Sequence, residues 1–308
     1  MRVAVFGAGA VGSYLGSCLA SGGTDVRYIA RGPHLDALRE RGLTLITPGA
    51  TTTTAVQATD DPGEIGPVDY VLFIVKSYDT EESARQLVPL IGPDTAVLSL
   101  QNGIDNEARI AAVIGDDHVL SGSVYILAAI ESPGVVRSGP ARIVLGELKP
   151  GPPGERVAAF VEAAEAGGIT ATAVADARLA KWEKYVLLVA FAAISAGTQL
   201  PLGDIRRSTA AVGMLRAVMT EAWSVGRALG VPLADGLVAR QLNLVLSQAD
   251  SEGSSLRHDL LTGHRMEVEA LQGTLARLGR ETGVATPFTD AAYAILEPWA
   301  IRNERALS

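Results

Sequence analysis

The chain has 308 residues, of which 48% are hydrophobic and 19% charged, and its formal net charge is −8. This length suits about two domains, and the apolar content excludes a chain that is mainly disordered. The acidic balance, without a cluster of Lys and Arg, argues against a nucleic-acid partner because like charges repel.

Cysteine, histidine and apolar patterning predict the compartment. Cys18 is a lone cysteine and the four histidines have no metal-ligand spacing, so we expect a reducing setting and no metal. The N-terminus lacks the uninterrupted apolar run of a signal peptide. The most apolar stretch, 185–197, is too short to cross a bilayer. These features together predict a cytoplasmic protein with no membrane partner.

The first half of the chain alternates short β-branched runs with helical patterns, which is typical of βαβ units around a parallel sheet. The clearest strands are predicted at 3–6, 25–29, 68–75 and 95–100, with a helix over 9–19. Residues 44–56 are ambiguous. Further strands are predicted at 118–126, 135–137, 142–145 and 169–173, the middle two as an antiparallel hairpin across Ser138-Gly139-Pro140.

The second half changes to long Ala/Leu-rich segments with helical periodicity. Helices are predicted at 177–197, 208–229, 234–249, 265–282 and 287–301. The boundary is expected near residue 174. The sequence therefore predicts an α/β Rossmann dinucleotide-binding domain over 1–174, followed by an all-α domain over 175–308.

A glycine motif follows the first strand directly and opens a helix, which is the context that a G-x-G-x-x-G pattern requires. Its residues are Gly7, Ala8, Gly9, Ala10, Val11 and Gly12. The first glycine permits a tight turn, the second lets the backbone approach a pyrophosphate, and the third permits close helix packing. The helix N-terminus adds unpaired N–H groups that favour phosphate. The alternative is a glycine-rich turn that binds nothing.

Three polar positions at the ends of other strands are candidate cofactor or substrate contacts. Arg31 stands where an NAD site would place an acidic residue, which favours the 2′-phosphate of NADPH, although it could be an ordinary solvated side chain. Lys76 either reaches a phosphate or ribose, or is simply exposed after a buried strand. Asn102 either contacts the nicotinamide ribose or substrate, or forms a tight turn with Gly103.

Five motifs occur in a recognisable order: GAGAVG, VKSYDT, QNG, KWEKYVLL and SSLRHDLLTGHRMEVEALQG. With them the chain resembles the ketopantoate reductase family of NADPH-dependent 2-dehydropantoate 2-reductases over nearly its whole length. The resemblance implies an active site in the cleft between the two domains. It also implies reduction of 2-dehydropantoate to pantoate, in pantothenate and coenzyme A synthesis.

The resemblance assigns roles residue by residue. It implies that Lys184 is the catalytic lysine, that Glu267 lies beside nucleotide and substrate, and that Ser255 binds substrate. It implies nucleotide contacts at the 7–12 loop, Arg31, Lys76, Asn102 and Ala128. Lys181 is a competitor for the catalytic role by composition, but it precedes the tryptophan of the motif. Burial should lower the pKa of Lys184 and a nearby Glu267 should raise it, and the sequence leaves that balance open.

One departure from the family concerns substrate. Leu188 and Ala192 stand where the family has two substrate-binding asparagines, and Ser195 on the same helical face is a candidate partial replacement. A different 2-oxo acid is therefore the rival substrate. A β-hydroxyacid dehydrogenase fits the motifs less well, and retention of Lys184 and Glu267 argues against a non-enzymatic NADPH sensor. The apolar helices at 208–249 and 287–301 could form a homodimer face, which we favour, although apolar helix faces more often belong to the core.

Overall fold

The computed structural model describes residues 1–307, which divide into two compact units. We call residues 1–101 with 106–177 the sheet unit, and residues 102–105 with those from Arg178 onward the helical unit. The predicted fold class is confirmed: a largely parallel α/β unit comes first and a helical unit follows. No sequence signal marked the four-residue segment 102–105 as part of the helical unit.

The strands all lie in the sheet unit, within the part of the chain that the structure describes. They are β1 (Arg2–Phe6), β2 (Asp25–Ile29), β3 (Leu43–Thr47), β4 (Ala50–Thr54), β5 (Gln57–Thr59), β6 (Tyr70–Phe73), β7 (Ala96–Ser99), β8 (Val119–Tyr125), β9 (Ala128–Ser132), β10 (Val135–Ser138), β11 (Arg142–Glu147) and β12 (Thr170–Ala173). The helices of this unit are α1 (Ala10–Ser21), α2 (Gly32–Arg41), α3 (Thr80–Arg85), α4 (Asn106–Ile114) and α5 (Glu155–Ala166).

The main sheet has the spatial order β12-β11-β8-β7-β6-β1-β2-β5. The pairs from β8 to β5 are parallel, and β11 joins β8 in the antiparallel sense. Its central strands read YVLF and AVLS and are fully buried, because helices cover both faces of a parallel sheet. Separate apolar clusters form on the two faces. The carboxyl ends of β1 and β6 are therefore held side by side in a rigid frame.

A second, smaller sheet has the order β4-β3-β10-β9 and accounts for the ambiguous region 44–56. The predicted hairpin between 135–137 and 142–145 is wrong, since β10 pairs with β9 and β3 while β11 pairs with β8 and β12. The physical reason is that the turn between the two strands forms its hydrogen bond with an earlier segment of the chain, and not within a hairpin. Gly139 N donates to Leu127 O at the start of β9, so the chain crosses from one sheet to the other.

The helical unit is built around α6 (Ala177–Thr198), whose apolar side chains belong to one continuous core. The other helices are α7 (Leu202–Arg207), α8 (Thr209–Ala228), α9 (Leu237–Leu246), α10 (Ser255–Thr262), α11 (Thr274–Thr282) and α12 (Pro287–Leu307). A π-helical turn over Glu269–Gly273 leads into α11, where the sequence predicted a regular helix. None of the helices in the described residues carries an apolar stretch long enough to span a membrane.

Candidate active site

The glycine loop after β1 shows three different backbone requirements. Gly7 has a φ of 99°, and a Cβ there would lie 2.9 Å from the backbone of Val75 after β6. A Cβ on Gly12 would lie 2.4 Å from Gly7 O and 2.9 Å from Val5 Cγ1, so α1 packs directly on the strand. By contrast, a Cβ on Gly9 would meet nothing within 4 Å. The loop is therefore tightly packed at Gly7 and Gly12. At Gly9, where a phosphate would approach the helix N-terminus, it leaves open space.

The loop residues between these glycines and the start of α1 suit an anion. Ala8 is buried, whereas Ala10 and Val11 are half-buried at the first turn. No acidic residue lies in that turn, and Gly9 caps the helix without a side-chain hydrogen bond. The N-terminal N–H groups are thus left for a ligand, and they carry the positive end of the helix dipole.

Arg31 lies directly before α2, close to the carboxyl end of β2. Its side chain is exposed, and Nη2 donates to the neutral amide oxygen of Gln86 at 3.2 Å. A guanidinium that bonds a neutral amide keeps its charge unneutralised and can exchange that bond for a phosphate. These residues fit a dinucleotide with a 2′-phosphate on its adenosine ribose.

The other predicted nucleotide contacts of the sheet unit lie at element ends. Lys76 follows β6 and is half-buried at the start of a 3₁₀ turn over Ser77–Asp79. Ala128 is the first residue of β9 and is half-buried opposite Ser138. That Lys76 and Ala128 contact the cofactor stays a prediction.

Gln101 is a buried residue whose role the sequence did not reveal. Its Nε2 donates to Val75 O at 3.0 Å and to Thr80 Oγ1 at 2.8 Å, and Thr80 Oγ1 donates to Asn106 Oδ1 at 2.9 Å. This network ties the segment after β6 to the segment after β7. The polar Gln-Asn-Gly turn was the available signal, but its local pattern did not distinguish a buried brace from an exposed turn.

Lys184 and Asn102 meet within the helical unit. Lys184 lies on α6, and its Nζ donates to Asn102 Oδ1 at 2.9 Å. Burial lowers the pKa of Lys184 to about 8, and the carboxylate of Glu267 opposes that shift. The balance that the sequence left open is therefore dominated by desolvation. At neutral pH the amine is largely protonated, yet it holds its proton weakly enough to donate it.

Lys181 lies one turn before Lys184 on α6 and is almost fully buried. Burial, reinforced by the positive charge of Lys184, lowers the pKa of Lys181 to about 7, while Asp105 opposes the shift. Asp105 Oδ2 lies 3.5 Å from Arg277 Nη2 and accepts a hydrogen bond from Thr274 Oγ1 at 3.4 Å. Lys181 thus lies deeper in the protein than Lys184, beside a carboxylate that α11 already engages.

Glu267 is buried and lies two residues before the π-helical turn begins at Glu269. Two side-chain contacts hold this turn against α6: Tyr185 OH donates to Leu271 O at 2.6 Å, and Gln272 Nε2 donates to Val189 O at 2.9 Å. A π-helical turn frequently marks a functional site, because the extra residue re-aims its neighbours. Both contacts fix the backbone that follows Glu267 to the helix that carries Lys184.

The predicted serines occupy different environments. Ser255 is exposed in the first turn of α10. Ser195 is fully buried, donates to Phe191 O at 2.7 Å, and lies 2.7 Å from Ser254 Oγ. Ser254 is the N-cap of α10 and accepts from Arg257 N at 3.1 Å. Ser195 therefore supports the cap of the helix that presents Ser255.

Apolar side chains occupy the two positions at which the family has asparagines, and both are at least partly buried. Leu188 is half-buried one turn after Lys184, and Ala192 is fully buried a further turn along. The stretch of α6 that follows Lys184 thus offers no amide to a substrate at either position.

Comparison with known proteins matches both units. Residues 3–150 match the family model "Ketopantoate reductase PanE/ApbA", and residues 176–299 match its C-terminal counterpart. The 2-dehydropantoate 2-reductase of Mesorhizobium japonicum is 32% identical over 98% of this chain and 99% of its own length. That of Halobacterium salinarum is 35% identical over 93% and 95%, respectively. The crystal structure of a PanE/ApbA family ketopantoate reductase from Ralstonia eutropha is 33% identical, covers 99% of this chain and 100% of its own, and has a TM-score of 0.91.

A sheet unit with a dinucleotide-type glycine loop and a helical unit with a lysine whose pKa is lowered by burial define an oxidoreductase that acts on a CH–OH/C=O pair. The chain belongs to the ketopantoate reductase family. Members of this family use NADPH. The family and the enzyme class predicted from the sequence are thereby confirmed.

Proposed function

We propose that this protein reduces 2-dehydropantoate to pantoate with NADPH. The observation that carries the proposal is the Lys184 ammonium, held by Asn102 at 2.9 Å and with its pKa lowered to about 8. The relatives named 2-dehydropantoate 2-reductase support the substrate. The open glycine loop and the exposed guanidinium of Arg31 support the cofactor.

The reaction needs one hydride and one proton. The glycine loop would hold the nicotinamide cofactor, which when bound would supply the hydride for the C2 carbonyl carbon. As the C=O double bond becomes a single bond, negative charge develops on oxygen, and Lys184 Nζ donates a proton to it. Asn102 Oδ1 keeps the amine oriented, and Glu267 keeps enough proton affinity on it at neutral pH. Because the donor is lost on deprotonation, we expect kcat/KM to fall as the pH rises above about 8.

The side chains that follow Lys184 on α6 favour a second candidate substrate. Leu188 and Ala192 replace two amides with apolar groups, and Ser195 already shares its hydroxyl with Ser254. We propose that Ser195 positions α10, and that Ser255 is the serine available to substrate. A 2-oxo acid with a less hydroxylated side chain than 2-dehydropantoate is therefore the alternative substrate, since each missing hydrogen bond to a charged group costs about 1.5 to 3 kcal/mol.

The test is NADPH oxidation with 2-dehydropantoate and a panel of smaller and bulkier 2-oxo acids. We expect Lys184→Ala to lower kcat by about 10²-fold to 10⁴-fold, because it removes the general acid. Lys149→Met, on an exposed side chain, is the matched control. Retention of activity in Lys184→Ala would refute the mechanism. A clear preference for another 2-oxo acid would favour the alternative substrate.

Cofactor choice is tested in the same assay with Arg31→Ala. Loss of a charge-assisted contact to the 2′-phosphate should raise the KM for NADPH about ten-fold or more and leave the KM for NADH nearly unchanged. Equal effects on both cofactors would exclude Arg31 as the discriminating residue.

We further propose a homodimer, for which α12 offers a candidate face. Phe288 and Ile295 are large apolar side chains that remain exposed, and their seven-residue spacing places them on one face of this helix. Exposed apolar stripes of this kind are common at subunit contacts. Sedimentation equilibrium of the purified protein would show a monomer mass if the proposal is wrong.

A further inference from the structure

His34 is a half-buried residue of α2 that the proposed mechanism does not use, yet it joins three parts of the sheet unit. Its Nε2 lies 3.4 Å from Ser13 Oγ, at the end of the first turn of α1. Its Nδ1 accepts a hydrogen bond from Gly134 N at 3.2 Å, in the turn between β9 and β10. The ring therefore links the end of the glycine loop to the hairpin that begins with Ala128.

The contacts define one protonation state of the ring. A backbone N–H can only donate, so Nδ1 must be the unprotonated acceptor and Nε2 carries the proton. On the Nε2 side, Ser13 is fully buried and its Oγ donates to Ala8 O at 3.0 Å. Burial lowers the pKa of His34, and the carbonyl of Ala8 opposes that shift. The arrangement thus favours the neutral ring.

The turn that His34 holds fits closely against its surroundings. Gly134 has a φ of 80°, its O accepts from Thr44 N at 2.8 Å, and a Cβ there would lie 2.9 Å from Ala37 Cβ on α2. Arg41, also on α2, donates to Pro133 O at 3.3 Å. The turn is therefore anchored to α2 from two sides, and His34 is the anchor that also reaches the glycine loop.

The charged groups around this turn leave the ring without an ionic partner. Arg41 pairs with Glu40, and the Glu131–Arg137 pair spans the exposed strands of the hairpin. Within residues 1–307, no carboxylate forms an ion pair or a hydrogen bond with His34. Protonation of the ring would therefore gain no compensating ion pair, and it would remove the acceptor of Gly134 N.

We propose that His34 is a positioning residue for dinucleotide binding, because its neutral ring holds the glycine loop and the β9–β10 turn to one helix before the ligand arrives. The inference rests on the proposed use of the glycine loop for a dinucleotide. The carbonyl of Ala8 lies in the loop whose N–H groups would bind the phosphates of the proposed dinucleotide, and Ala128 begins the hairpin that carries the β9–β10 turn. A site ordered in advance loses less entropy on binding.

The experiment measures the dissociation constant of NADPH by its fluorescence, with the intact protein at pH 7.5 and at about pH 5.8. His34→Ala removes both contacts and should weaken binding about five-fold to ten-fold at pH 7.5, which corresponds to one neutral hydrogen bond. His34→Asn retains an acceptor near the position of Nδ1 and should restore most of the affinity. His118→Ala removes a half-buried histidine of the same unit that bonds Thr95 O, and it should leave binding unchanged.

The pH dependence separates positioning from a general structural role. Affinity of the unsubstituted protein should fall more between pH 7.5 and pH 5.8 than that of His34→Asn, which has no titrating ring at this position. This comparison also decides the question if His34→Ala does not fold. Equal affinities for His34→Ala and His118→Ala, or a smaller pH effect in the unsubstituted protein than in His34→Asn, would overturn the inference. Absence of NADPH binding by the unsubstituted protein would instead overturn the proposed function, and this inference with it.

Discussion

The two units build their candidate sites from different parts of the chain. In the sheet unit the essential features belong to the backbone: the positive φ of Gly7, the open approach at Gly9 and the close packing at Gly12. In the helical unit they belong to side chains. Burial lowers the pKa of Lys184, while Glu267, 83 residues away in the sequence, opposes that shift. Asn102, 82 residues away, accepts the hydrogen bond that orients the amine.

The difference teaches where local sequence is informative. A backbone-built phosphate site needs a few glycines at fixed spacing, and that spacing is visible in six consecutive residues. A side-chain-built proton donor needs burial and distant partners, and these exist only after folding. Disturbing each kind of site should therefore have a characteristic result.

The largest expected effect comes from the packed glycine of the loop. Gly12→Val places a side chain against Gly7 O and Val5, and it should lower the free energy of unfolding by about 3 kcal/mol or more. Gly9→Ala meets no atom of the protein and should cost less than about 1 kcal/mol, while NADPH binding is lost. Urea unfolding and NADPH titration measure the two quantities. Equal destabilisation by both substitutions would break the distinction between a packed and an open glycine.

The next effect tests how side chains support the helical unit. Glu221 on α8 is buried and accepts from Phe288 N at 2.9 Å, and from Thr289 N and Oγ1 at 2.8 and 2.6 Å, at the start of α12. Glu221→Ala leaves these donors unpaired and should lower the free energy of unfolding by about 2 to 4 kcal/mol.

The matched control for Glu221 is Glu281→Ala, which removes an exposed partner of Arg277 and should change stability by less than about 0.5 kcal/mol. Chemical denaturation of both variants makes the comparison. Similar small losses would mean that the cap of α12 contributes little and that apolar packing alone holds the helix.

The smallest effect is a pH dependence caused by Lys181. Its pKa is about 7 in the folded protein against 10.5 ordinarily, so between these values the unfolded chain binds a proton that the folded protein lacks. The free energy of unfolding should therefore rise with pH above about 7, by up to about 1.4 kcal/mol per pH unit from this residue.

Lys181→Met should remove the contribution of Lys181 to this pH dependence. The rise in the free energy of unfolding between pH 7 and pH 9 should then be smaller by about 2 kcal/mol, while Lys184 still contributes from about pH 8. Lys149→Met, on an exposed lysine, should leave the pH dependence unchanged. Identical stability profiles for the unsubstituted protein and Lys181→Met would show that Lys181 is solvated in solution.

Several elements were predictable because their signals are local. The strand at 3–6, the glycine loop and the long amphipathic helices rest on patterns within a few residues of one another. The hairpin prediction failed at 135–145, where turn residues were visible but the partner strands were not. Gln101 escaped notice for the same reason, since its bonds to Val75 O and Thr80 cross 26 and 21 residues.

The sequence by itself determined the class of fold, the glycine loop and the family, because periodicity and short motifs encode them directly. Tertiary structure alone decided which strand pairs with which, that segment 102–105 belongs to the helical unit, and that burial outweighs Glu267 in lowering the pKa of Lys184. It also decided that His34 and Ser195 hold neighbouring elements in place. The physical reason is that hydrogen-bond partners and desolvation depend on atoms that the folded chain brings together from distant positions.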